Sequence, residues 1–203
     1  MIMSEFVEVF SGICRLKIPF DNIYTSVFLI KADCGLTLVD CATTKIDVDE
    51  YIVPALFALG FKLCDISKVI ITHNHSDHSG GLKRLLELYP NLTVVNTISD
   101  VGDDILIYPM PGHTTDFLGV LDQRTGTLIS GDGLQGAGVD KYRCSLATNS
   151  GYLETLEKIK QDERVKNILF SHAYEPWNCD FILGRRSVLE CIEECKKYIG
   201  EIR

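Results

Sequence analysis

No apolar run in this 203-residue chain reaches the roughly 18 residues that a bilayer-spanning helix needs, so no helical membrane anchor is expected. The opening MIMSEFVEVFSGICRLKIPF carries acidic residues early and has no basic segment leading into a long apolar one. That is not the pattern of an export signal. Basic residues are also short: 20 lysines and arginines stand against 28 aspartates and glutamates, a net charge of −8. Binding to a phosphate backbone needs a basic stripe, so nucleic acid is not expected as a partner. No two of the eight cysteines form a C-x-x-C pair, which argues against a thiolate zinc knuckle. Without an export signal the cysteines are expected to be reduced thiols in a cytoplasm. Cys191 and Cys195 are spaced to share a helix face and to pack there. Cys144 lies in a candidate active-site loop.

What is present is an ordinary globular composition, 46% hydrophobic and 24% charged, enough for one domain over residues 1–203 with a sizeable core. Histidine is scarce, five in all, and their placement is informative. ITHNHSDHSGG supplies His73, His75, Asp77 and His78; PGHTTD supplies His113, LISGDG supplies Asp132 and FSHAYEP supplies His172. Three imidazoles and a carboxylate within six residues cannot form an ordinary buried face. Each polar group left unsatisfied would cost roughly 1–3 kcal/mol. A metal ion compensates them directly, and this donor chemistry suits zinc, iron and manganese. The remaining ligand candidates each follow or end an apolar run, ILIYPMPG before His113, TLIS before Asp132 and NILFS before His172. Strand ends are therefore expected to gather the same chemistry in one place.

The pattern along the chain predicts strands over EFVEVF, ICRLKI, TSVFLIK, GLTLVD and KVIIT, then LTVVN, DILIYPM, FLGVLD, GTLIS and NILFS. Helices are expected from Asp47 to Leu59, over GGLKRLLELYP, over YLETLEKIKQ, and from about Phe181 to Tyr198. The least periodic segment is the glycine-rich loop from Gly133 to Gly151. The halves echo each other: strand, Asp40, helix, strand, His73 is matched by strand, Asp132, helix, strand, His172.

The run His73-Asn74-His75-Ser76-Asp77-His78 resembles the H-x-H-x-D-H motif of the metallo-β-lactamase superfamily, and His113, Asp132 and His172 follow in that family's order. The resemblance implies an α+β fold, a four-layer αβ/βα sandwich of two mixed β-sheets with outer helices. It also implies two divalent ions, zinc first, with iron or manganese as alternatives. His73, His75 and His113 would hold one ion, Asp77, His78 and His172 the other, and Asp132 would bridge them. Such ions bring the pKa of a shared water to roughly 7, supplying hydroxide to attack an acyl carbon. Asp77 is the expected catalytic residue, orienting that water or moving a proton, and Asp40 is expected to brace the ligand loop.

The fold alone does not name a substrate. Asp132 stands where many lactamases of the family carry cysteine, and His75 where flavodiiron reductases carry glutamate; the long insertion of the nucleases is missing. Lys141 and Tyr142, together with the His172-Ala173-Tyr174 triplet, resemble the substrate residues of glyoxalase II, the thioesterase that cleaves S-lactoylglutathione. Only 31 residues follow His172, so the helical domain completing that family's glutathione site is expected to be absent. Arg185 and Arg186 are the residues that could stand in for it. The expected activity is hydrolysis of a small-molecule thioester or ester. The alternatives are an iron-dependent oxidoreductase like the persulfide dioxygenases and a lactonase; the latter carry a tyrosine where this chain has Gln135.

Overall fold

The computed structural model describes residues 5–32, 35–99, 101–102, 104–139 and 145–201. They form two compact units, residues 1–96 and 97–203, each built on one mixed sheet.

In the first unit β1 (Val7–Phe10), β2 (Ile13–Phe20), β3 (Ile23–Ala32) and β4 (Gly35–Val39) run as an antiparallel meander, and β5 (Ile66–Ile70) and β6 (Thr93–Val95) continue it in parallel. Thr25–Ile30 of β3 and Leu36–Val39 of β4 are buried without alternation, which marks strands covered on both faces. Leu16, Val27, Leu29, Leu38 and Val69 from the sheet pack with Val48, Ile52, Leu56 and Leu85 from the helices. Each such side chain is worth about 1.5–3 kcal/mol over exposure.

The helix expected from Asp47 to Leu59 is found as α1 (Lys45–Asp47), a π-helical turn (Val48–Ile52) and α2 (Val53–Ala58). Thr44 caps it, its hydroxyl accepting from Asp47 N while Asp47 Oδ2 accepts from Thr44 N at 2.8 Å. The π turn has a local cause. Pro54 has no N–H to donate and its ring crowds the carbonyl one turn back, and a widened turn there relieves the clash. After β5 come α3 (Ser76–Ser79) and α4 (Leu82–Leu88).

In the second unit the strand order is β11-β10-β9-β8-β7, with β7 (Ile105–Pro109), β8 (Leu118–Asp122), β9 (Thr127–Gly131), β10 (Asn167–Tyr174) and β11 (Cys179–Leu183). β9 and β10 are parallel and the other neighbours antiparallel. Helix α5 (Asn149–Gln161) buries Tyr152, Leu156 and Ile159, and α6 (Arg185–Glu201) contributes Val188, Cys191, Ile192, Cys195 and Tyr198 to the same core. Cys191 and Cys195 are thus packing residues on one face of α6.

The terminal helix expected from Phe181 instead starts at Arg185, because Cys179–Leu183 is an edge strand. Its burial alternates, Asp180 and Ile182 inward, Phe181 and Leu183 outward, and Gly184 at φ +84° ends it in a conformation that favours glycine. Three consecutive apolar residues ahead of a periodic helix read as its first turn, while the period of two was only five residues long. The echo between halves is seen within each unit: a parallel β4/β5 pair frames Asp40 and the helix after it, and a parallel β9/β10 pair frames Asp132 and α5.

Candidate metal centre

In the first unit β5 ends at Ile70, and Ile71 N still donates to Val95 O at 2.9 Å before the chain leaves the sheet. The next eight residues carry the motif. His75 sits at the N-cap of α3 in extended backbone, its carbonyl accepting from His78 N and Ser79 N. This puts His73 Nε2 3.0 Å from His75 Nδ1, and His78 Nε2 3.2 Å from Asp77 Oδ2. Two ring nitrogens at that separation repel unless a proton or a cation lies between them, and such convergence fits a shared metal ion. His73 and His78 are buried whereas His75 is exposed.

The loop is held from behind. Asp40, 1% exposed, accepts from Thr72 N at 2.8 Å, from Thr72 Oγ1 at 2.9 Å and from His78 Nδ1 at 2.8 Å. With Nδ1–H committed to a carboxylate, His78 presents Nε2 in the unprotonated form a metal needs. Thr25 Oγ1 on β3 donates to Asp77 O at 3.0 Å, and Cys41 N donates to His78 O at 2.8 Å. Asp40 and Ala42 adopt left-handed backbone, φ +62° and +60°, a cost of about 1–3 kcal/mol each that only surrounding contacts can hold. Gly80 and Gly81 are required here. A Cβ on Gly80 would overlap the Thr43 carbonyl, and one on Gly81 the Cys41 carbonyl.

In the second unit His113 follows β7, Asp132 follows β9, and His172 lies within β10. Asp132 Oδ1 is 3.4 Å from His172 Nε2 and its Oδ2 is 4.0 Å from His113 Nε2. The two carboxylate oxygens therefore face different imidazoles, an arrangement that suits a bridging ligand. All three side chains are buried. An ionised carboxylate in such surroundings costs several kcal/mol unless cations or hydrogen bonds compensate it. His113 Nδ1 lies 3.0 Å from Ser145 O and 2.8 Å from the side-chain amide of Gln135. The Tyr174 ring is buried against His172, centroids 4.9 Å apart. Within each unit, then, the donor set fits divalent metal: imidazole and carboxylate atoms converge, and carboxylate or carbonyl acceptors fix the far side of two of the rings.

Of the other sequence candidates, Lys141, Tyr142 and Cys144 lie outside the described residues. Arg185 is structural: its guanidinium donates to Ile159 O at 3.0 Å and Val165 O at 3.1 Å, and also to Lys160 O, tying down the end of α5. Arg186 is 93% exposed and pairs with Glu190 on its own helix. The sequence pattern pointed to neither Thr72 nor Tyr152, and it marked Gln135 only as the residue standing where lactonases carry a tyrosine. Gln135 had a signal, being the one polar side chain besides Asp132 in GDGLQGAG.

Residues 21–100, which contain Asp40 and the whole His73–His78 motif, match the family model of the metallo-beta-lactamase superfamily. A hydroxyacylglutathione hydrolase of Vibrio campbellii is 25% identical over 167 residues, 74% of this chain and 65% of that protein. One from Francisella tularensis subsp. novicida is 32% identical over 137 residues, 59% of this chain and 54% of that one. The chain thus spans less than two thirds of the length of these curated relatives. Among solved structures, the metallo-β-lactamase FIM-1 of Pseudomonas aeruginosa in its mono-zinc form superposes with TM-score 0.73 at 17% identity, covering 97% of this chain and 96% of that one. A metallo-β-lactamase of Hirschia baltica gives 0.68 at 21%, covering 95% and 98%. Two mixed sheets with flanking helices are what these structures share with it. The family-model match covers residues 21–100, and the likeness to these solved structures shows the metallo-β-lactamase fold over nearly the whole chain.

Proposed function

We propose that the protein is a metal-dependent hydrolase of a small-molecule thioester or ester, glyoxalase II-like in its chemistry. In this reading His73, His75 and His113 hold one divalent ion, Asp77, His78 and His172 a second, and Asp132 serves both. Zinc is the expected metal, since imidazole and carboxylate donors suit it. The observation that carries the reading is the Asp132 carboxylate, with one oxygen towards His172 and the other towards His113. The resemblance to hydroxyacylglutathione hydrolases supports the substrate class.

Divalent ions in such a centre lower the pKa of water to about 7 and polarise a carbonyl. The protein's own groups do the rest. Asp77, beside His78, is the group to orient the attacking water and take its proton. Asp40 keeps the His78 proton on Nδ1, so that imidazole serves as a ligand and not as an acid. The Tyr174 ring covers one face of His172 and keeps water from that side. Lys141, Tyr142 and Tyr174 are the proposed substrate contacts, Lys141 pairing with an anionic group. The acidic balance of the chain favours a small-molecule partner over nucleic acid. The six free cysteines among the described residues fit a reducing cytoplasm.

The test is metal analysis of the purified chain alongside hydrolysis of S-lactoylglutathione. Two ions per chain are expected, with turnover lost on chelation and restored by zinc. One iron per chain with oxygen consumption on glutathione persulfide would replace the hydrolase reading with an oxidoreductase.

A further inference from the structure

Gln135 has 0% exposed surface, and a buried glutamine side chain costs free energy unless it is paired. Its amide lies 2.8 Å from His113 Nδ1 and 3.3 Å from the main-chain oxygen of Asp132. Its Oε1 has no hydrogen-bond partner among the described residues. Packing alone would favour leucine, of similar length and without that penalty. The backbone of Gln135 is pinned with equal care. Its N–H donates to Tyr152 Oη at 2.7 Å, and the same hydroxyl donates to Gln135 O at 2.6 Å. Tyr152 is itself 0% exposed, in the first turns of α5. One phenol therefore fixes both polar backbone groups of a single residue.

Ser145 O, 3.0 Å from His113 Nδ1, can only accept, so Nδ1 carries the proton and Nε2 presents a lone pair. The Gln135 amide faces the same N–H. Its two ends are exchangeable by a half-turn; with oxygen towards His113 it gives up the long 3.3 Å donation from Nε2 to Asp132 O and supplies a second acceptor at 2.8 Å to the imidazole N–H. From this geometry we infer that Gln135, held by Tyr152, is a positioning residue that fixes the tautomer and ring orientation of His113 for metal binding. The inference rests on His113 being a ligand, as proposed above. It goes further in assigning a route from α5 through Tyr152 and Gln135 to one ion and not the other.

Cobalt(II) titration of the metal-free full chain, followed by its visible absorption, tests it. The parent should bind two equivalents. Gln135→Leu should weaken one of the two by about 10–100-fold and change its band shape, the usual effect of losing a group that orients a ligand. Gln135→Glu keeps an acceptor at the same reach and should bind within about threefold of the parent. A purely space-filling role predicts the reverse order, since leucine fills the site without burying a charge. Parent-like binding by Gln135→Leu, or equal weakening in both variants, overturns the inference. If Gln135→Leu does not fold, Tyr152→Phe takes its place: weakened binding of one equivalent is expected, and two parent-like equivalents overturn the inference. His113→Ala separates the two levels. Loss of one equivalent there with Gln135→Leu unaffected removes the clamp alone, whereas full binding by His113→Ala removes the ligand assignment itself.

Discussion

Asp40 Oδ2 accepts the Nδ1 proton of His78 at 2.8 Å across 38 residues of chain, from a backbone held in the left-handed region at φ +62°. The same carboxylate secures the amide and hydroxyl of Thr72, the residue just before His73, so one side chain sets the position of both ends of the motif. Asp40→Asn isolates the charge, because asparagine tolerates the left-handed backbone. Metal affinity should fall by about 10–100-fold with the fold kept, read by zinc competition against a chromophoric chelator and by near-ultraviolet circular dichroism. Parent-like affinity would reduce Asp40 to a turn residue.

Asp132 is expected to serve two ions and His172 one. Asp132→Ala should therefore lose both equivalents, or bind both far more weakly, while His172→Ala should keep one. Metal content after dialysis distinguishes them. If Asp132→Ala kept one tight ion and full turnover, its role as a bridge would be wrong.

Much of this was legible in the chain itself. The buried strands and α5 announce themselves by apolar runs and helical spacing, and the seven candidate ligands by chemistry that no apolar core accommodates. What escaped were features set by tertiary partners. Gln135 is polar because His113 lies 22 residues away in sequence and 2.8 Å away in space, a pairing no local pattern encodes. The strand Cys179–Leu183 exists because it pairs with β10, and its five residues are too few to outvote the periodic helix that follows. The π turn before Pro54 follows from that proline, which the helical spacing alone passes over.

The glycines after the motif should resist substitution for a steric reason. Gly80→Ala and Gly81→Ala put a methyl against the carbonyls of Thr43 and Cys41, which belong to backbone and cannot turn aside. Each should cost about 1–3 kcal/mol by urea unfolding, the range for overpacking, and should weaken metal binding by shifting the loop. Gly60 provides the comparison. It has open space around it but φ +84°, so Gly60→Ala should cost about 1–2 kcal/mol through strain and leave metal binding unchanged. A Gly81→Ala variant as stable and as tight as the parent would mean that the loop and residues 41–43 part easily.

Thiol reactivity should separate the cysteines by environment. The thiolate is the reactive form, and burial pushes the Cys41 thiol far up, with Asp40 adding to the effect. Cys191 is raised as well, first by its hydrogen bond with Cys195 and then by burial. Cys64 is exposed in the turn Leu63–Asp65. Iodoacetamide at pH 8 should label Cys64 within minutes and leave Cys41 and Cys191 unmodified until the chain is unfolded, as peptide mapping by mass spectrometry would read directly. Cys41 is also the more informative failure. Its Sγ lies 3.3 Å from His78 O, so early labelling there in the metal-free chain, suppressed by added zinc, would show that the ligand loop opens when its ions are removed and that Asp40 alone does not hold it closed.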